Sequence, residues 1–575
     1  MRSSSPRLLL AALALLPLLG APAAGQAGSI FDPGEWFDVW IHGVARDDVV
    51  RLSLAGLDIE NVRGTDVMAY VNPERHAELA ALGYRMSIPP RAGGGAARAG
   101  YHTFAELTAE LQAAAAAYPS ICALFDIGRS VQNRQLWFLK ISDQVGVEED
   151  EPEFKYISSM HGDEVVGMEL CLKLIGLLTT QYGIDPQITR LVDEAEIWIM
   201  PLMNPDGYVA GSRYNAQGYD LNREFPDRVV DPNNTTTGRP AEVRHVMNWA
   251  FAHSSVLSAN FHGGALVVNY PYDSDPNPWA TYSATPDDAL IIEQSLAYSE
   301  LNGPMYNSPW FNQGITNGVA WYMIYGGMQD WNYVWQGCNE VTIELDDDKW
   351  PPYSQIAGLW DDNRASMLAY MELCLTGVRG TVTDFVTGAP VAAAVRAGSL
   401  NHYVYADPQV GDYHRMLRPG TYSLAFSASG YLPATVSGVG VGSGDATVVD
   451  VTLVPETFNP PDPDIRIDGQ DGPLSVPRTQ PITLTVSLQA NDLVGRPHDW
   501  WVKGTNGTVT YWWYFPSLWL LAPTRCYDGG LMNLVDFPIA YSTVPPGTWT
   551  FTFAVDALDN AYQGTYADTI TLTSY

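Results

Sequence analysis

The chain has 575 residues, with 64 acidic against 31 basic side chains, a formal net charge of −33 and 46% hydrophobic residues. That hydrophobic content excludes a disordered chain, the length suits several domains, and the acidity disfavours any broad grip on nucleic-acid phosphates or an anionic membrane. Five cysteines without a C-x-x-C spacing indicate neither a disulfide framework nor a thiolate zinc knuckle.

Arg2 and Arg7 precede an apolar run over residues 8–19, and Ala21-Pro22-Ala23 supplies an A-x-A cleavage site, so residues 1–24 read as an export signal. No cysteine follows it to carry a lipid, and residues 569–575 have no apolar tail, so a secreted or periplasmic protein without a stable membrane anchor is expected. Residues 49–54 are expected as a strand, 73–82 as a helix and 84–88 as a strand, together a small α/β leader over 28–90 and a candidate propeptide. The linker 91–100, with Gly93, Gly94, Gly95, Gly100, Arg91 and Arg98, is open to proteolysis. Either it is a spacer, or its cleavage releases a leader that covers a cleft.

From 101 to 376 the pattern alternates. A capped helix is expected over 104–117, with strands near 136–141, 154–159, 195–201, 256–261 and 341–345. A further helix is expected over 286–301, with Thr285 as cap and Pro286 at its first position. This predicts an α/β domain with a mixed central sheet flanked by helices, whose site gathers at the C-terminal ends of strands. Residues 377–456 change to short β-prone runs with Gly-rich turns, the texture of a β-sandwich. A proline-rich joint, 457–464, leads to a second all-β module, 465–575, in which Trp500, Trp501, Trp512, Trp513 and Trp519 are read as core before they are read as a glycan or partner surface.

The chemistry is concentrated in a few segments. Ser158-Ser159-Met160-His161-Gly162-Asp163-Glu164 sets His161 and Glu164 three apart where a strand gives way to a helix near Val165. A catalytic zinc commonly takes three protein ligands and leaves the fourth position open, so a second histidine is expected at another strand end. His262, after the run 257–261 and before Gly263-Gly264, fits. An isolated H-x-x-E recurs by chance; here Met203-Asn204-Pro205-Asp206-Gly207-Tyr208 follows, then Arg213, then Asp220-Leu221-Asn222-Arg223-Glu224-Phe225-Pro226-Asp227. Further on stand Trp321-Tyr322, Gly326-Gly327-Met328-Gln329-Asp330 and Thr342-Ile343-Glu344-Leu345.

Over about residues 101–454, this ordered set resembles the zinc metallocarboxypeptidases, most closely the regulatory carboxypeptidase D, M, N and E branch. The resemblance implies one zinc ion per chain held by His161, Glu164 and His262, with Glu344 as general base toward water. An ion pair is the alternative for Glu344. It further implies Arg213 as oxyanion stabiliser, against a surface arginine, and Asn222 with Arg223 as the pair that holds a substrate's terminal carboxylate. Tyr322 matches the mobile tyrosine that closes over substrate, with Tyr325 a competitor. Asp220 matches an acceptor for a zinc-ligand histidine, against a turn-forming aspartate.

The branch has asparagine where Glu224 stands, and this side chain is expected to point outward. Gln329 occupies the position where pancreatic B-type enzymes place an acid. Asn269-Tyr270-Pro271-Tyr272-Asp273 matches the branch pattern that supplies an aspartate for a basic side chain, so release of C-terminal Lys or Arg is expected; the alternative for Asp273 is a turn residue. Gly377-Val378-Arg379-Gly380, Gly411-Asp412-Tyr413 and Arg418-Pro419-Gly420-Thr421-Tyr422 resemble the transthyretin-like β-sandwich of the branch.

The expected function is thus an exported zinc metallocarboxypeptidase acting on peptide or protein C-termini. The rivals are a zinc amidase acting on cell-wall or modified peptides, and a non-catalytic carboxypeptidase-like binding or adhesion protein. Asn222-Arg223 argues against the first, and the retained ligand set with Glu344 against the second. Nucleic acid is not an expected partner, and the oligomeric state is left open.

Overall fold

The computed structural model describes residues 36–89 and 99–575, so the signal segment and linker residues 91–98 lie outside the described residues. The chain divides into two compact units, 1–93 and 94–575. In the first, β1 (Phe37–His42), β2 (Asp58–Arg63), β3 (Asp66–Val71) and β4 (Arg85–Ser87) form a sheet in the order β2-β3-β1-β4. With helices Arg46–Leu54 and Pro73–Ala81 between them, this is the split β-α-β arrangement of ferredoxin-like folds. The strand expected over 49–54 is instead the body of the first helix. Asp47 and Asp48 favour its N-terminal turn, and Val49 and Leu52, three apart, are buried together, which overrides the β preference of two adjacent valines. The second helix follows the sequence closely: Asn72 caps it by accepting from the Arg75 amide, and Pro73 opens it.

In the second unit, among the described residues, eight strands form a mixed sheet. They are β5 (Cys122–Arg129), β6 (Gln135–Ile141), β7 (Glu153–Ser158), β8 (Glu196–Met200), β9 (Leu257–His262), β10 (Ala265–Tyr270), β11 (Ile315–Asn317) and β12 (Asn339–Asp346). Their order is β11-β10-β12-β9-β7-β8-β6-β5. The central run β12-β9-β7-β8 is parallel. Helices cover both faces, and β8 shows how: Ile197 and Ile199 enter one core with Phe154, Tyr156 and Phe261, while Trp198 and Met200 enter the other with Phe138, Val246 and Trp249. Helix Phe104–Ala117 begins at a capping box between Thr103 and Glu106, as its sequence predicts.

The helix expected over 286–301 runs from Asp288 to Ser299, and neither Thr285 nor Pro286 starts it. Its preceding residue, Asp287, makes no side-chain cap because its carboxylate is committed elsewhere. It accepts from Arg415 Nη2 at 2.8 and 3.0 Å, from His402 Nδ1 at 2.6 Å and from the Tyr333 hydroxyl at 2.9 Å. All four side chains are buried, at the seam between the α/β domain and the β-sandwich that follows it.

That sandwich pairs a sheet built on Val378–Asp384 with one built on Ala394–Ala397 and Gly420–Ser427. The last module, from Asp462 to Ser574, pairs a three-stranded with a seven-stranded sheet among the described residues. Trp500, Trp501, Trp512 and Trp513 are buried, and Trp519 packs against the core half-buried, which answers the sequence ambiguity in favour of packing. The five cysteines are unbridged.

Candidate active site

The site is assembled where β7, β9 and β12 end. After β7 the chain turns at Ser159 in the left-handed region, φ +52°, and the Ser159 hydroxyl donates to the Glu164 carbonyl at 2.9 Å, closing the turn that carries His161 and Glu164. Gly162 sits so close to the next segment that an added Cβ would lie 2.1 Å from the Gly207 backbone. Asn204 fastens the two together: its amide donates to the carbonyls of Met160 at 3.1 Å and Arg213 at 3.3 Å, and its oxygen accepts from the Gly207 amide at 2.9 Å. The N-P-D-G motif therefore positions both the turn that carries His161 and Glu164 and the loop that carries Arg213, a role sequence reasoning left unassigned. His262 is the last residue of β9, and Glu344 is its register partner on the parallel strand β12.

His161, Glu164 and His262 are all buried. His161 Nδ1 lies 3.0 Å from Glu164 Oε1, His262 Nδ1 lies 2.8 Å from Glu164 Oε2, and the two Nδ1 atoms are 3.0 Å apart. His161 Nε2 donates to Asp220 Oδ1 at 2.9 Å, which leaves the Nδ1 lone pair directed inward. His262 Nε2 is buried without a hydrogen-bond partner among the described residues. Two imidazole nitrogens facing each other and a carboxylate are an unsatisfactory hydrogen-bonding group but a fitting cage for a zinc ion, whose N and O ligands stand at about 2.0–2.2 Å.

Charge sets the protonation of these groups. For His161, burial and the Arg213 guanidinium favour the neutral ring, but Glu164 and Asp220 outweigh them and the pKa is raised. Burial lowers that of His262. Burial opposes ionisation of Glu164, yet the two histidines hold its carboxyl well below the usual range. Asp220 is likewise held low against burial, by Arg213, His161 and Arg223.

Arg213 is buried, not a surface arginine. Its Nε and Nη2 donate to Asp220 Oδ2 at 3.1 and 2.9 Å, and its Nη1 donates to Glu164 Oε1 at 3.1 Å. Asp220 does accept the Asn222 amide at 2.8 Å, as a turn aspartate would, but it serves His161 and Arg213 as well. Asn222 is buried, with its oxygen accepting from the Met328 amide at 2.9 Å, and Arg223 is partly open to solvent. The Gly326-Gly327 pair lies against both: a Cβ on Gly326, whose φ is +76°, would lie 2.4 Å from the Arg223 carbonyl oxygen. Tyr322 stands among these groups, its hydroxyl pKa raised by burial first, with Arg223 and Arg213 opposing and Glu344 and Asp273 reinforcing. Tyr325 donates to Met323 Sδ at 3.2 Å instead.

Glu224 is half-buried and not turned fully outward as expected. Its carbonyl accepts from Arg239 Nη1 at 2.8 Å, and burial pushes its carboxyl up to about 7 while Arg239 holds it down.

Asp273 is buried on the floor beside Gly327, where an added Cβ would stand 3.2 Å from Asp273 Oδ2 and 3.7 Å from Asn222 Oδ1. Asn269 Nδ2 donates to Asp273 Oδ1 at 2.9 Å. Beneath it, Asp330 accepts from the Asp273 amide at 2.9 Å and from the Ser274 amide and hydroxyl at 3.1 and 3.0 Å. The sequence motif contained Asp330 but gave no sign of this supporting role. Burial and then Asp330 push the Asp273 carboxyl well above the usual range, while Asn269, Arg223 and Gln329 pull the other way.

Residues 107–366 match the zinc carboxypeptidase family, and residues 377–454 match the carboxypeptidase regulatory-like domain. The chain is 44% identical over 374 residues to carboxypeptidase D of Homo sapiens, covering 62% of this chain and 27% of that one. It is 39% identical over 356 residues to carboxypeptidase M of Mus musculus, covering 58% and 79% of the two chains. With the carboxypeptidase N catalytic chain of Mus musculus it shares 38% over 393 residues, 61% and 86% of the two. The chain belongs to the zinc carboxypeptidase family, and it spans about a quarter of the length of the carboxypeptidase D relatives it matches.

Proposed function

We propose that the protein is an exported zinc metallocarboxypeptidase that hydrolyses the last peptide bond of peptides or proteins and prefers C-terminal Lys or Arg. His161, Glu164 and His262 would hold the ion, and zinc, when bound, supplies a Lewis acid that brings water into a reactive state near neutral pH. Glu344, held beside His262 by the β12-β9 ladder, takes the proton from the attacking water and passes it to the departing amine. Arg213, kept in place by Asp220, offers its guanidinium to the carbonyl oxygen as charge develops there. Asn222 and Arg223 bind the free carboxylate and so fix which bond is cut. Tyr322 closes over the bound residue and excludes water.

The observation that carries the specificity is the Asp273 carboxyl, buried on the floor beside Gly327 and the carboxylate-binding Asn222. A buried carboxyl that is costly to ionise alone gains a partner when a guanidinium or ammonium enters. Export rests on the signal-like residues 1–24, and residues 28–90 are read as a leader.

The test is release of C-terminal Arg, Lys, Phe and Glu from matched blocked dipeptides by zinc-loaded protein, with and without a chelator. Chelator-sensitive release of Arg and Lys is expected. Preferred release of Phe would overturn the pocket reading, and no release at all would favour the non-catalytic binding protein.

A further inference from the structure

The loop between β6 and β7 carries five carboxylates in Asp143, Glu148, Glu149, Asp150 and Glu151, and Glu153 opens β7 behind it. The loop lies against the first β-sandwich. There, strand Asp412–Arg415 is buried throughout, and Asp412 and His414, two apart on a strand, share one face. One ligand atom from each of Asp150, Asp412 and His414 falls within 4.8 Å of the others. His414 Nε2 pairs with Asp412 Oδ2 at 3.0 Å, whereas Asp412 Oδ1 has no hydrogen-bond partner among the described residues although the residue is only 2% exposed. A carboxylate oxygen so placed is costly unless something neutralises it.

We propose that Asp150, Asp412 and His414 form a second divalent-cation site, separate from the His161-Glu164-His262 cage, which ties the catalytic domain to the β-sandwich. One imidazole with two carboxylates suits zinc, cobalt or manganese better than calcium or magnesium, which prefer oxygen alone. Asp407, also buried and with Oδ2 lacking a hydrogen-bond partner among the described residues, is a further carboxyl on the sandwich side. The competing cation is Arg379, the cross-strand neighbour of His414. Its Nη1 donates to the Asp150 carbonyl at 3.0 Å and stands 3.9 Å from Asp150 Oδ1; half in solvent, it can yield that position. The adjacent group Glu148, Glu153 and His253 is a weaker candidate, because Glu153 already accepts from His253 Nδ1 at 2.8 Å and from the Ser255 hydroxyl at 3.3 Å.

The experiment is equilibrium dialysis of the full chain against excess zinc, and separately cobalt, followed by metal analysis. The expected result is two equivalents for the unaltered chain and one for a His161→Ala/His262→Ala chain. Adding His414→Gln to that chain removes the remaining equivalent. Asp150→Asn, on the exposed arm, also removes it without touching the buried pair. In the unaltered background, His414→Gln retains the first equivalent, which reports that the variant is folded. The proposal is overturned if the unaltered chain saturates at one equivalent. It is equally overturned if the second equivalent survives both His414→Gln and Asp150→Asn, or is removed by His253→Gln instead.

Discussion

Glu344 and His262 are register partners on the parallel strands β12 and β9, so the same backbone ladder that places one member of the proposed zinc cage also places the carboxylate read as its catalytic base. Their relative position is set by the sheet and not by a loop. Glu344→Gln keeps the shape and removes the base, so kcat is expected to fall by about 10²- to 10⁴-fold. Zinc content and thermal midpoint should be unchanged; a variant that retains full turnover would remove Glu344 from the mechanism.

Asp220 serves two masters, accepting from His161 Nε2 and from Arg213. Asp220→Asn is expected to weaken zinc binding by roughly 10- to 100-fold in a chelator competition. It should also lower turnover at saturating zinc, because Arg213 loses its anchor. A variant with unaltered zinc affinity would show that the aspartate acts only as a turn former.

Asp273 is tested in three ways. Asp273→Asn is expected to cost about 2 to 5 kcal/mol in kcat/KM for Arg and Lys substrates, by removing one partner of a buried ion pair, with little change for Phe. Gly318→Ala should act in the same direction, since its Cβ would fall 1.9 Å from Asp273 Oδ1 and drive the carboxyl from its position. The sign of the pH dependence follows from the raised Asp273 pKa: a basic residue must displace the proton on binding, so the preference for Arg over Phe strengthens as pH rises. A flat ratio across the neutral range would count against Asp273 as the selector.

The seam offers a stability prediction. Asp287→Ala would leave the buried Arg415 without its counterion and is expected to cost about 3 to 5 kcal/mol in denaturant unfolding. In the unaltered chain, burial opposes ionisation of Asp287, but His402 and Arg415 hold its pKa below the ordinary value. The stabilisation is therefore complete above the unfolded aspartate pKa, near 3.9, and is lost as pH falls toward the folded value. An acid titration in which Asp287→Ala and the unaltered chain lose stability in parallel would contradict this.

Much of this site was legible because its residues stand at the ends of apolar runs. His161 and Glu164 are readable where a strand gives way to a helix and His262 where an apolar strand ends before Gly263-Gly264, while the role proposed for Glu344 comes from the family resemblance, with its place near the end of a buried strand beside it. What escaped was long-range pairing. Thr285 and Pro286 carry a good helix-start signal, but Asp287 is claimed by Arg415 and His402, more than a hundred residues away, and no local rule contains that. Val49 and Val50 favour a strand in isolation and are overruled by burial three residues apart with Leu52. The support of Asp273 by Asp330 and of the ligand turn by Asn204 were missed for the same reason: their motifs were visible, but their partners were set by the fold.

The Asp287 cluster also bears on how this protein can be cut and recombined. A gene fragment ending near residue 376 would encode every side chain assigned to the chemistry, yet it would lack His402 and Arg415 and would bare the apolar surface that Met416 covers. Catalytic domain and β-sandwich are thus one cassette: a chimera that exchanges the sandwich must carry over Asp287, His402 and Arg415 together, or it inherits an unpaired charge at its own joint.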